Sequence, residues 1–333
     1  MKTSVPLLST SFSARITACQ LVTPSSSGHH RRTQPLFGSD ARAAGLIEGQ
    51  FPELAPARLE PLGEGWDNVA YAVNGQYVFR LPRRKLGAEL MAREARVLPR
   101  LAPHLPLPIP LPLFVGEPAD GYPYPFAGYA QIPGVTACRA ELTDAHRSAV
   151  AAPLARSLAA LHALPVEDAT RAWAPGDDIR RADLAYRVPW LLERMEGMAS
   201  LLEPGEAAIL RERIAAFAGT PQGTGPTCWV HGDLYARHLL VDAGTKQLSG
   251  VIDWGDVHLG DRVLDLSIAF SFLPPPARAA FRAVYGESLD AATWERARFR
   301  ALFYGIVLTE YGAETGDVAI EAAGRYALRN APM

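Results

Sequence analysis

The sequence predicts an α+β fold in two lobes, a small strand-rich one followed by a larger, mainly helical one, and three observations predict it. A chain of 333 residues, 48% of them hydrophobic, holds enough apolar material for roughly two cores. Short apolar runs between residues 57 and 132 are punctuated by glycine and proline and include Asn74-Gly75, a strong two-residue hairpin signal. Beyond residue 142 the apolar positions recur at helical spacing instead. The lobes are accordingly placed at residues 41–134 and 135–333.

Taken in order, residues 57–62 form a first strand, residues 63–68 a glycine turn, and residues 69–73 and 76–81 the two arms of the hairpin, the second ended by Pro82. Leu90, Glu94, Val97, Leu98 and Leu101 recur at helical spacing over residues 87–101. The proline-rich run 103–112 cannot continue a helix and forms an extended connection. Residues 114–115 and 129–132 are the next strands, closed by Pro133-Gly134. A helix over 142–164 has Thr143 or Asp144 as its N-cap and apolar positions at Val150, Leu154, Leu158 and Leu161. Further helices are expected over 184–202, 207–217, 264–272, 277–285, 293–312 and 317–328, with short strands at 228–231, 239–241 and 248–252.

Residues 1–40 differ in kind. They are rich in Ser and Thr, carry Lys2, Arg15, Arg31 and Arg32, and have no acidic residue before Asp40. That composition suits a targeting peptide, but no hydrophobic stretch with a small-residue cleavage site stands out. A disordered leader, or a start codon assigned too far upstream, is the plainer expectation.

Composition excludes several classes. A formal net charge of −2 argues against a nucleic-acid binder, which carries a basic surplus. No apolar run reaches membrane-spanning length. Cys19, Cys138 and Cys228 are scattered, so neither a disulfide framework nor a zinc site is expected, and a reducing cytoplasm is the expected location. The only lysines are Lys2, Lys85 and Lys246, so any phosphate binding leans on arginine, backbone amides or metal.

The chemistry concentrates in His231-Gly-Asp233-Leu-Tyr-Ala-Arg-His238 and in Val251-Ile-Asp253-Trp254. Phosphoryl transfer needs a carboxylate to orient the accepting hydroxyl, metal to neutralise charge, and a cation on the non-reacting phosphates. Asp233 follows one short strand, in a loop where a carboxylate can face a cleft. Asp253 follows another and carries the hard oxygen ligands that magnesium prefers. A hairpin-like return between them brings the two together.

These two motifs, followed by Gly260-Asp261-Arg262-Val263-Leu264-Asp265, resemble the aminoglycoside phosphotransferase family of antibiotic and metabolite kinases. The resemblance covers roughly residues 59–328 and implies a two-lobed, protein-kinase-like fold. It implies transfer of the γ-phosphate of ATP or GTP, with Mg2+, to the hydroxyl of a small molecule, a macrolide or aminoglycoside among the possibilities. Asp233 then matches the catalytic aspartate and Asp253 a metal-binding aspartate. His238 stands where most relatives have a metal-binding asparagine; the macrolide phosphotransferases resemble this chain there. Arg80 matches the strand position where kinases typically carry lysine, and Glu94 its helical partner. Gly63 and Gly65 match a phosphate-covering turn, and Gln131 and Ile132 the connection that contacts the base.

Each assignment has a plainer counterpart. Arg80 and Glu94 suit a surface pair, Gly63 and Gly65 an ordinary turn, and Gln131-Ile132 an edge strand. His231 and His162 are assigned structural roles, and Asp261 and Asp265 are expected to anchor loops and cap a helix. Phe299, Phe303, Tyr304 and Tyr311, at near-helical spacing, are expected in the core, the last with a chance of lining an acceptor pocket. Glu193, Glu196, Glu310 and Glu314 are either solvated or an attraction for a cationic amino sugar. The rival function is a catalytically silent, nucleotide-binding regulatory protein of the same fold, and oligomeric state is left open.

Overall fold

The structure, a computed structural model, describes residues 40–331 apart from 66, 120, 224, 226, 287 and 288. The expectation for residues 1–40 therefore falls outside the described residues, Asp40 excepted. The α+β division predicted from the sequence is the one observed. Two compact units divide the chain: one holds the described residues up to Arg96 together with Pro110–Gln131, the other Val97–Ile109 and everything from Ile132 onward.

The first unit contains α1 (Asp40–Gln50), β1 (Leu59–Glu64), β2 (Asn68–Val73), β3 (Tyr77–Pro82), most of α2 (Lys85–Leu101), β4 (Pro112–Gly116) and β5 (Phe126–Ala130). Its five strands form one antiparallel sheet in the order β1-β2-β3-β5-β4. Asn74 and Gly75 both take positive φ, 54° and 64°, as the tight turn joining β2 to β3 requires. Asn74 does more than turn: its side chain donates to Leu54 O at 2.9 Å and accepts from Arg58 N at 2.9 Å, tying the hairpin to the preceding segment. Tyr71, Val73, Phe79, Leu81, Tyr122 and Phe126 pack with Ala43 and Ile47 of α1 in one core. Gly128 on β5 lies against the Phe79 ring so closely that a Cβ would come within 2.4 Å of it.

Two expectations change here. β1 runs on through Gly63 to Glu64, with a bulge between Pro61 and Gly63, so the turn is confined to the residues after Glu64. The strand placed at 129–132 begins earlier and ends at Ala130, because pairing with β3 fixes it through Phe79↔Gly128 and Tyr77↔Ala130. Helix α1 had no sequence signal beyond Ala43 and Ile47, its two buried residues.

The second unit is mainly helical. It contains β6 (Val135–Thr136), α3 (Asp144–Ala149), α4 (Ala151–His162), α5 (Asp168–Arg171), α6 (Leu184–Gly197), α7 (Glu206–Ala216), β7 (Cys228–Val230), β8 (Leu239–Val241), β9 (Leu248–Val251) and β10 (His258–Gly260). The chain ends through α8 (Val263–Leu266), α9 (Ile268–Ser271), α10 (Ala277–Tyr285), the long α11 (Ala291–Thr315) and α12 (Val318–Asn330). The helix predicted over 142–164 is broken at Val150, because Pro153 has no N–H to give and is tolerated only in the first turn of α4. Thr143 caps α3, accepting from His146 N at 3.3 Å. The helix predicted over 264–272 is likewise split at Ser267, whose hydroxyl donates to Leu264 O at 2.6 Å. Two short pairings were not anticipated: β10 with β7 and β6 with β8. Among the described residues no helix is long and apolar enough to cross a membrane.

Candidate active site

In the second unit β7 ends where the His231 loop begins, and one carboxylate holds that loop. Asp265 is fully buried and accepts from His231 N at 2.8 Å and Gly232 N at 2.9 Å. His162 Nε2 lies 3.1 Å from the same carboxylate, and its Nδ1 lies 2.9 Å from Tyr285 OH. Burial opposes the charge on Asp265. The His162 bond and the neighbouring His162 and His231 rings outweigh it and hold the carboxyl below its ordinary range. Gly232 has φ 82°, and a Cβ there would lie 2.6 Å from Asp256 O and 2.7 Å from the His258 ring. Only glycine fits that bend.

The bend aims the motif. His231 Nδ1 accepts from Asp233 N at 3.3 Å, so the ring's proton sits on Nε2 and is given to Ile252 O at 3.0 Å. Asp233 is 5% exposed, and Tyr304 OH donates to its Oδ1 at 3.0 Å. Arg300 supports the same contact from one turn earlier on α11, with Nη2 3.1 Å from Tyr304 OH and 4.0 Å from Asp233 Oδ1.

His238 is oriented by its other neighbour. Its Nδ1 donates to the Asp233 carbonyl at 2.7 Å, which leaves the lone pair of a neutral ring on Nε2, 3.3 Å from Asp253 Oδ2. Burial resists charging this ring, but Asp253 and then Asp233 prevail and raise its pKa. Asp253 holds a left-handed backbone, φ 62°, a conformation that costs most residues about 1–2 kcal/mol and that aspartate tolerates better than most. Its carboxylate is 43% exposed, the most open of the three. Trp254 supports this turn by donating from Nε1 to Val251 O at 2.9 Å.

These groups fit a magnesium site of the kind that takes one or two protein ligands and fills the rest with phosphate and water. Among the described residues no cluster of three metal-binding side chains exists, so an all-protein cage is not what the fold offers. The pair His238 Nε2 and Asp253 Oδ2 supplies one nitrogen and one hard oxygen facing each other.

In the first unit Arg80 and Glu94 meet. Arg80 Nη1 donates to Glu94 Oε1 and Oε2 at 2.9 Å each, Glu94 is fully buried, and Tyr129 OH donates to it at 3.2 Å. Gly63 lies in the bulged end of β1, while Gly65 N donates to Asn68 O at 2.9 Å and Gly65 O accepts from Arg83. Gln131 N–H is already given to Gln76 O at 2.8 Å, so its backbone offers a base only the carbonyl. Ile132, half-buried in the second unit, packs over Gly250.

The structure thus brings Asp233, His238 and Asp253 together in one unit and Arg80 with Glu94 in the other. Tyr304 was missed as a site residue. It was read as one core aromatic among several, and the available signal was Arg300 four residues earlier on the same helical face. Of the four acids considered for a cationic amino sugar, Glu310 is buried against Arg194, while Glu193, Glu196 and Glu314 are exposed.

A family model described as phosphotransferase enzyme family matches residues 58–300. An aminoglycoside 3'-phosphotransferase of Streptomyces fradiae is 31% identical over 161 residues, 48% of this chain and 58% of that relative. The chain therefore spans under two thirds of that relative's length. The solved GDP complex of wild-type aminoglycoside 2'-phosphotransferase-IIIa is 27% identical, with 87% of this chain and 97% of that chain covered and a TM-score of 0.66. A GDP and kanamycin complex of APH(2")-IIia gives 27% identity, 87% and 98% coverage and a TM-score of 0.65. The macrolide 2'-phosphotransferase MphH of Brachybacterium faecium shares the fold at 24% identity, 83% and 92% coverage and a TM-score of 0.55.

Proposed function

We propose, from the premise that the chain belongs to the phosphotransferase enzyme family, that this protein moves the γ-phosphate of a nucleoside triphosphate onto the hydroxyl of a small molecule. The observation that carries this reading is the buried Asp233 carboxylate, fixed by Tyr304 and set beside the facing His238 and Asp253. In the transfer a bond forms between the acceptor oxygen and the γ-phosphorus while the bond to the β-phosphate oxygen breaks. Asp233 orients the hydroxyl and takes its proton. His238 and Asp253 would hold Mg2+, which when bound neutralises charge on the phosphates.

Arg80, held by Glu94, is assigned to the non-reacting phosphates, a task suited to a planar, always-charged guanidinium. Gly63 and Gly65 are assigned to the phosphate-covering turn, and Gln131 and Ile132 to the base. ATP and GTP both merit assay, since two of the similar solved proteins hold GDP and another holds ADP. Aminoglycosides and macrolides, named for those relatives, are the acceptors to assay first. The reaction is assigned to the cytoplasm, in keeping with free Cys138 and Cys228. The silent regulatory alternative gains no support, because Asp233 and Asp253 are both retained.

Asp233→Asn tests the proposal. Phosphoryl transfer is expected to fall by about 10²–10⁴-fold, the usual contribution of a positioned base. Nucleotide affinity by calorimetry should stay within about twofold of the parent, far inside the tenfold that 1.4 kcal/mol represents. Undiminished transfer by the variant would remove Asp233 from the chemistry.

A further inference from the structure

Around Asp233 the second unit gathers guanidinium groups. Arg300 lies 4.0 Å from its Oδ1. Arg181 is buried nearby with its charge bearing on Asp233, but it is already paired with Asp177 and Asp256. Arg187, on α6, is in a different position. It is 1% exposed, and Asp177, the carboxylate whose charge reaches it, is already paired with Arg181. Its Nε and Nη2 donate to Arg180 O at 3.1 Å and Ile179 O at 2.6 Å, while Nη1 has no partner. Arg300 Nε is likewise without one.

Both groups address the same ring: the Cζ atoms of Arg300 and Arg187 lie 4.3 and 5.6 Å from the centroid of Phe303, the residue next to Tyr304. Burial, with repulsion from Arg300 and Arg181, pushes Arg187 down to about 10, which still leaves it charged at neutral pH. A buried cation without a counter-ion is expensive, and unmade buried donors add to that cost. The acids nearest in sequence do not relieve it: Asp183, four residues earlier, serves Arg180 and the Tyr186 amide, and Glu193 is exposed. What is missing is an anion.

We propose that Arg187 and Arg300 form an anion subsite for the phosphoryl acceptor, so that the hydroxyl presented to Asp233 belongs to a molecule that also carries a carboxylate or phosphate group. The word acceptor rests on the kinase reading; the anion subsite does not. A polycation would bring like charge to Arg187 and Arg300, the first of them with a donor unmade.

The thermal midpoint of the full chain, titrated with malonate and separately with inorganic phosphate against sodium chloride of matched ionic strength, reads this directly. The parent should show a saturable rise, and the stronger of the two anions identifies the preferred group. Arg187→Met and Arg300→Met should each weaken the apparent affinity at least about tenfold, the scale of a lost charge-assisted bond. Arg187 also holds two carbonyls, so Arg187→Lys, which keeps the charge, serves as its folding control, and Arg300→Met carries the test if both Arg187 variants unfold.

No saturable rise in the parent overturns the proposal, as does an unchanged rise in every folded variant. Loss of the rise when a non-hydrolysable nucleotide saturates the protein also overturns it, since the anion site would then be the nucleotide's own. Kanamycin should give no rise, and displacement of malonate by kanamycin would refute a subsite for anions. Failure of the kinase reading shows separately, as nucleotide turnover that does not depend on Asp233 beside an intact malonate response.

Discussion

Tyr304 spans α11 and the loop after β7, and it carries the clearest single-residue consequence. Its hydroxyl gives Asp233 Oδ1 a bond of 3.0 Å and takes one from Arg300, so it fixes the carboxylate rotamer without bearing charge itself. Tyr304→Phe keeps the ring that stacks on Tyr235 and deletes the hydroxyl with its bonds to Asp233 and from Arg300. We expect turnover to drop about tenfold or more, the worth of one hydrogen bond to a charged group, with nucleotide affinity unchanged, as steady-state kinetics and calorimetry would separate. His238 makes a different case. With Nδ1 committed to the Asp233 carbonyl, only Nε2 is available to a cation, and nitrogen is a softer donor than an amide oxygen. His238→Asn should keep transfer active and shift its preference from Mn2+ toward Mg2+, measured as the ratio of rates in the two metals; an unaltered ratio would mean the ring does not ligate. At this scale the sequence was most legible for the placing of Asp233 and Asp253, each after a short strand and both beside His238. Tyr304 was illegible because its partner lies far along the chain and its helical spacing is also that of the core.

The element that matters most is the bend between β7 and the motif, which a single buried carboxylate clamps. Asp265→Asn would turn one acceptor into a donor facing a backbone N–H, either His231 N or Gly232 N. A loss of about 2–5 kcal/mol in stability is expected from urea unfolding, the sum of an unsatisfied buried group and a disrupted pair with His162. A loss below about 1 kcal/mol would show that the loop is held otherwise. Legibility followed local signal rather than length: three-residue β7 and β8 were predicted, whereas the eleven-residue α1 was not. The Asn74-Gly75 hairpin and the helices α6, α10, α11 and α12 carried their own signals in turn residues or helical spacing. The three-residue β10 did not, since it exists only through its ladder with β7. Pro153 was visible in the sequence, but the apolar period around it continued across the break, and so two helices were predicted as one.

For the molecule as a whole, buried histidines set the response to acid. Burial, with His238 beside one and Arg181 beside the other, lowers the pKa of His231 and of His258 below the ordinary 6.5. As pH falls below 6.5 the unfolded chain takes up protons that these rings refuse, so stability declines. His238, shifted upward, contributes stability that is lost as pH rises through its folded value and is fully present below 6.5, so it does not offset the decline. Asp265, shifted downward, adds a second loss once pH drops below the unfolded carboxylate value of about 4. Denaturation curves from pH 8 to 4 should show stability falling from near 6.5; a flat profile would mean that the rings charge freely in the folded protein.

The role proposed for Arg80 at the phosphates has an implication for labelling chemistry. Kinases are commonly captured through the amine that touches the phosphates, by electrophilic nucleotides that acylate it, and a guanidinium does not acylate under such conditions. The lysines among the described residues, Lys85 and Lys246, lie outside the motifs, and Lys85 is an exposed surface residue. A chain built this way goes unseen in any survey that finds kinases by their reactive lysine.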